Sequence, residues 1–166
     1  MALIRFSPFV LVYIALFSRL CFAADPTISY DFKVIAIGGN FPGPLINATT
    51  NYNVVVNVHS GLDENFLMTW TGIQMRRNSW QDGVLGTTCP IHSKQNFTCN
   101  FQVKDQIGSY FYGPSLNLQR ASGGFGPFIV NNREIIAIPF AQPDGDFIIM
   151  IGDRYTQNRT VVQHRS

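Results

Sequence analysis

The sequence predicts an all-β fold, either a sandwich or a Greek-key barrel, on three observations. Short segments alternate apolar and polar residues, as strands with one buried face do. Turns rich in Gly and Pro separate these segments, and no amphipathic helix of useful length precedes Gly152. Many short strands between such turns are the signature of a sandwich or barrel. Fourteen Phe and six Tyr supply large side chains for a core.

The elements follow in order. The first residues are a secretory signal peptide rather than part of the fold: Arg5 is basic, residues 9–17 are an unbroken apolar run, and Cys21-Phe22-Ala23 offers small residues before a cut after Ala23. The run is too short to span a bilayer, which takes ~20 apolar residues. Residues 29–37 read as the first strand, halted by Gly38-Gly39, and Phe41-Pro42-Gly43-Pro44 as a turn or crossing loop. Residues 52–59 form the next strand, with Val54, Val56 and Val58 on one face and Asn53 and Asn57 on the other. Residues 66–73 follow, then a long irregular connection over 76–94.

Residues 97–103 alternate cleanly, with Phe97, Cys99, Phe101 and Val103 inward and Thr98, Asn100 and Gln102 outward. Strands over 109–112, 128–130 and 134–138 complete the domain, which spans 24–138. A linker over 139–145 leads to a further apolar strand over 146–152. Such a strand without partners would be an open edge. Residues 146–166 therefore read as the beginning of a truncated second domain.

Charge and cysteine usage narrow the function. Removing Arg5 and Arg19 with the leader leaves as many Lys and Arg as Asp and Glu, and no basic run exceeds Arg76-Arg77. Nucleic-acid binding through a basic patch is therefore not expected. Cys89 and Cys99 remain; they could close a disulfide, or Cys99 could pack on its apolar strand face as a small hydrophobe. Three sequons, at Asn47, Asn96 and Asn158, agree with a secreted glycoprotein. His59, His92 and His164 are scattered, with no i, i+2 or i, i+4 pair, so no histidine metal site is expected from them. Gly123-Gly124-Phe125-Gly126 lacks the Lys-Ser/Thr of a phosphate loop and reads as a turn. Arg120 before it reads as structural. Asp144 and Asp146 flank a linker glycine and have no pocket. Trp70 reads as core, and Trp80 as a loop anchor or a contact residue.

Several motifs together carry a resemblance. Asn40-Phe41-Pro42-Gly43-Pro44, Leu67-Met68-Thr69-Trp70-Thr71-Gly72-Ile73, Asn78-Ser79-Trp80-Gln81-Asp82-Gly83-Val84, Cys89-Pro90-Ile91 and Asp105-Gln106-Ile107-Gly108-Ser109-Tyr110 are similar to the first cupredoxin (plastocyanin-like) domain of plant ascorbate-oxidase-like proteins of the multicopper oxidase family. The pattern most resembles the skewed-root-growth (SKS) and pollen-specific group, over about residues 30–155. In active members the matching stretches read His-Trp-His-Gly and Phe-Tyr-His-x-His. Those four histidines help to hold a trinuclear copper centre between the first and third of three such domains.

Here the four positions are Thr69, Thr71, Gly113 and Ser115. Hydroxyls and a bare glycine are poor copper ligands beside imidazole and thiolate. The SKS group is similarly depleted there. The resemblance also implies that the cysteine matching Cys89 bridges to the third domain. Family members carry a longer stretch where Val34 here runs straight into Ile35-Ala36-Ile37.

The expectation is a secreted, apoplastic cupredoxin-like module with its copper ligands lost, no resident cofactor and no catalytic residues. Copper enters by resemblance only. Its role would be binding or structural, toward a cell-wall or membrane-surface partner. Neither a transmembrane segment nor a GPI signal is expected, because Gln163-His164-Arg165-Ser166 is not a hydrophobic tail. The alternative is a copper-binding oxidoreductase active only within a longer three-domain chain.

Overall fold

The computed structural model describes residues 25–34, 42–141 and 143–152. The leader, the 35–41 stretch, Asn158 and His164 lie outside these residues. Seven strands form two sheets: β1 (Thr27–Val34), β2 (Ile46–Thr49), β3 (Asn53–Ser60), β4 (Met68–Thr71), β5 (Asn96–Gln102), β6 (Gly108–Pro114) and β7 (Gly126–Asn131). One sheet has the order β1-β3-β5 and the other β2-β7-β6-β4. The pairs β1/β3 and β2/β7 are parallel, and the remaining pairs are antiparallel.

The core lies between the sheets, where the period of two puts it. Val54, Val56 and Val58 of β3 are fully buried, facing Met68 and Trp70 of β4 and Phe128 and Val130 of β7. Aromatic rings join the layers. Trp70 lies 5.0 Å from Phe101 of β5, and Phe32 of β1 lies 5.1 Å from Tyr112 of β6, both tilted. Such pairs add about 0.5–1.5 kcal/mol beyond the area they bury.

Hydrogen bonds bridge the two sheets on both open sides of the sandwich. On one side the Tyr30 hydroxyl of β1 donates to the Asn47 carbonyl of β2 and accepts from the Asn47 amide. On the other side the 72–95 connection crosses from β4 to β5. There Thr69 donates to the Asp82 carbonyl, and the Asn100 amide donates to the Gln81 side chain.

Four sequence expectations are corrected. Residues 46–49 form β2, a strand not assigned above between the turn at 41–44 and the strand over 52–59; only Ile46 and Ala48 of this short segment are apolar and buried. Gln102, expected to point to solvent, is 3% exposed. Its amide donates to the Asp25 carboxylate and the Asn51 carbonyl, so the segment before β1 covers it. Residues 134–138 are a turn rather than a strand, closed by the Ile136 amide on the Arg133 carbonyl. Residues 146–152 have no strand partner and run as irregular chain. In both cases β-branched residues lack a neighbouring strand to pair with, and pairing decides strand formation.

Candidate functional site

The four positions singled out by sequence meet on the outer face of the four-stranded sheet. On β4, Met68 and Trp70 point inward, so Thr69 and Thr71 point out. On β6, Tyr112 points into the core, so Phe111 and Gly113 lie on the outer face, where Gly113 is buried. The register sets Thr69 opposite Gly113 and Thr71 opposite Phe111. Ser115 follows at the end of β6, its amide held by the Leu67 carbonyl at 2.9 Å.

Three of the four positions are already engaged, while Thr71 is exposed. The Thr69 hydroxyl donates to the Asp82 carbonyl at 3.1 Å, and the Ser115 hydroxyl to the Gly83 carbonyl at 2.9 Å. Gly113 is covered by Phe125: a Cβ built there would lie 3.0 Å from the Phe125 Cβ. Beside them the Arg120 guanidinium stacks 4.8 Å over the Phe111 ring, a cation–π contact that fixes the turn over 119–122. Among the described residues no three of His, Cys, Asp and Glu come together in a metal-holding group.

The Asn78-to-Val84 motif forms the rim of this face, and its residue types have local reasons. Gly83 has φ +79, and a Cβ there would come within 1.8 Å of the Met68 carbonyl. Only glycine lets the loop lie this close to β4. Asp82 accepts from the Val84 amide and from the Thr87 and Thr88 hydroxyls. The Val84 amide contributes most to holding its carboxyl below the usual range, the two hydroxyls add to this, and partial burial opposes it. Gln81 is buried and carries the loop onto β5. Trp80 is 54% exposed, edge-on to Phe97 at 6.4 Å; Val84 and Leu85 are also exposed, at 52% and 64%.

Two further motifs resolve into structural parts. The Tyr112 hydroxyl donates to the Pro44 carbonyl at 2.6 Å, and a Cβ at Gly43 would sit 2.6 Å from that hydroxyl. Gly43 is therefore required by close approach. Gln106 is buried; it donates to the Gly72 carbonyl and accepts from the Gln74 amide, closing the turn after β4. The sequence reading left these two glutamines, Gln81 and Gln106, unassigned. Their signal was a neutral polar residue inside a turn motif, which does not distinguish a clamp from a solvated side chain.

The remaining candidates stay apart. Cys89 is exposed in the connection, whereas Cys99 is buried on β5 opposite Val56, and both are free thiols. No Cys89–Cys99 disulfide forms, because β5 turns the Cys99 side chain into the core. Burial pushes the Cys99 thiol up to about 12, opposed weakly by the neighbouring Trp70. The Trp70 indole N–H itself makes no regular hydrogen bond. His59 lies 3.8 Å from the Asp31 carboxylate on the exposed outer face of the other sheet, and His92 is exposed in the connection. Asn47 and Asn96 are exposed, on β2 and β5. No helix among the described residues is long and apolar enough to cross a membrane.

Comparison with known proteins agrees with this architecture. The multicopper oxidase family profile matches residues 24–135. Monocopper oxidase-like protein SKS1 of Arabidopsis thaliana is 63% identical over 167 residues, covering 92% of this chain and 28% of its own length. The L-ascorbate oxidase homolog of Brassica napus is 55% identical over 128 residues, covering 77% of this chain and 23% of its own. Among solved structures, the laccase of Botrytis aclada superposes with TM-score 0.61 at 31% identity, over 65% of this chain and 23% of that one. The chain thus spans about 28% of the length of SKS1. Its two-sheet sandwich matches the cupredoxin domains of multicopper oxidases, and the chain belongs to the multicopper oxidase family, with SKS-type monocopper oxidase-like proteins among its relatives.

Proposed function

We propose that this chain is the cupredoxin module of a secreted, glycosylated plant cell-wall protein whose role is binding or structural. One observation carries the reading. The side chains at the four positions where copper-binding relatives place histidines do not fit copper. Thr69 and Ser115 point their hydroxyl protons at backbone carbonyls, Gly113 has no side chain, and Phe125 covers it. A neutral hydroxyl already donating to a carbonyl is a weak ligand, whereas copper sites use imidazole and thiolate.

The leader and the sequons support passage into the apoplast, and nothing basic invites nucleic acid. The surface best suited to a wall or membrane-surface partner is the rim loop. Its Trp80, Val84 and Leu85 are more than half exposed on a frame pinned by Asp82 and Gly83. Aromatic and aliphatic groups on a rigid loop are what contact surfaces use.

The test is metal analysis of the secreted protein by mass spectrometry, with its visible and paramagnetic spectra. The expected result is copper well below one ion per chain. Stoichiometric copper with a blue or trinuclear spectrum overturns the reading. Oxygen uptake with ascorbate or a phenol that disappears on chelation would instead favour a copper oxidoreductase acting within a longer three-domain chain.

A further inference from the structure

The edge of β5 is closed over only half its length. β5 is the outer strand of its sheet, and in an antiparallel strand the backbone groups of alternate residues point to the partner and away from it. The Asn100 amide bonds outward to Gln81, its carbonyl accepts from the Asn78 side chain, and the Gln102 amide bonds outward to the Arg76 carbonyl. Asn96 and Thr98 share this parity, so their backbone groups face outward too. Among the described residues nothing caps them. Asn96 and Thr98 are the first and third residues of a sequon.

Trp80 packs edge-on against Phe97 between these two residues, but no side chain of the described residues bonds their outward backbone groups. Thr98 donates to Asn57, which in turn donates to Asp31, a row that ties the three strands together on the outer face. Lys94, two residues before Asn96, reaches back to Asp63 at 2.8 Å and to the Gly61 carbonyl. An uncapped, uncharged edge is a template for another strand. The matching edge of β2 differs: the Tyr30 hydroxyl occupies both the amide and the carbonyl of Asn47, and the Thr49 carbonyl accepts from the Tyr52 amide.

We propose that an N-linked glycan on Asn96 guards the open half of the β5 edge against strand addition by a second copy of this chain. Neighbouring strands sit about 4.8 Å apart, and a hydrated oligosaccharide rooted on that edge occupies the space an incoming strand needs. The Asn47 glycan has no such duty, because Tyr30 already seals its edge. The proposal rests on the secreted-glycoprotein reading above.

The experiment uses the full chain secreted from a glycosylating eukaryotic host. Peptide mass spectrometry reads occupancy at Asn96, and light scattering after size exclusion reads the mass in solution. Wild type and Asn47→Gln should be monomeric, and Asn96→Gln should at least double in mass. Asn96→Lys, which lacks the glycan but charges the edge, should stay monomeric. Enzymatic removal of the glycan from folded wild type should reproduce Asn96→Gln. If Asn96 is occupied and both Asn96→Gln and the deglycosylated wild type remain monomeric, the guard role fails while the glycoprotein reading stands. Association of Asn96→Lys equal to that of Asn96→Gln also refutes it. An unoccupied Asn96 removes the glycoprotein reading at this position and the proposal with it.

Discussion

Cys99 and Cys89 show how one residue type acquires two chemistries from its surroundings. Cys99 is buried at 4% exposure against Val56 and Trp70, where the thiolate would be costly, and burial raises its thiol to about 12. Cys89 stands in solvent. A haloacetamide at pH 8 should label Cys89 in the native protein at once and Cys99 only after denaturant, as read by peptide mass spectrometry. The pH sign follows from linkage. The folded state holds the Cys99 proton more tightly than the unfolded chain, so this contribution to stability is complete below the ordinary thiol range. It is lost as pH rises toward about 12. Rapid native labelling of Cys99 would contradict its place in the core.

At the scale of elements, the connection from β4 to β5 does more than its irregular sequence suggests. Asp82 organises its rim by accepting one backbone amide and two hydroxyls, and Gly83 lets it lie against β4. Asp82→Ala should cost about 1–2 kcal/mol at neutral pH, by the usual worth of bonds to a charged acceptor. The carboxyl is held below its ordinary range, chiefly by the Val84 amide. Its stabilisation is therefore present above the unfolded-state carboxylate pKa and is lost as pH falls through the lower folded value. The gap between wild type and variant should narrow on acidification below pH ~4, as measured by urea denaturation across pH. A gap independent of pH would assign the loss to packing instead.

The same scale explains what the sequence concealed. The strands legible in advance, β3 and β5, each carry three inward apolar residues at every second position. β2 offers only Ile46 and Ala48, so its strand character comes from pairing with β7. Residues 134–138 and 146–152 have the composition of strands but no strand beside them among the described residues. Ile135, Phe147 and Ile151 are accordingly 87%, 85% and 95% exposed.

For the molecule as a whole, stability resides in the contact between the sheets. Phe101 of β5 is 1% exposed and touches Trp70 and Phe128 of the opposite sheet, with ring centres at 5.0 and 6.1 Å. Phe101→Ala should cost about 3–5 kcal/mol, a large part of the 5–15 kcal/mol that ordinarily separates folded from unfolded domains. Equilibrium denaturation followed by tryptophan fluorescence measures it directly. A loss below 1 kcal/mol would mean that the two sheets are not held by this aromatic cluster.

The sequence by itself determined the all-β class, the inward faces of β3 and β5, the resemblance to multicopper oxidases, and the identity of Thr69, Thr71, Gly113 and Ser115. Each of these can be read from residue type at fixed local spacing. Only the tertiary structure decided that Thr69 lies across from Gly113 and that Asp82 and Gly83 accept the two hydroxyls. It alone separated Cys99 from Cys89, buried Gln102 under the segment before β1, and left Asn96 and Thr98 on an edge that none of the described residues caps. The reason is physical. Alternation along a strand states which way a side chain points, whereas what it meets there depends on partners dozens of residues away, which no local pattern encodes.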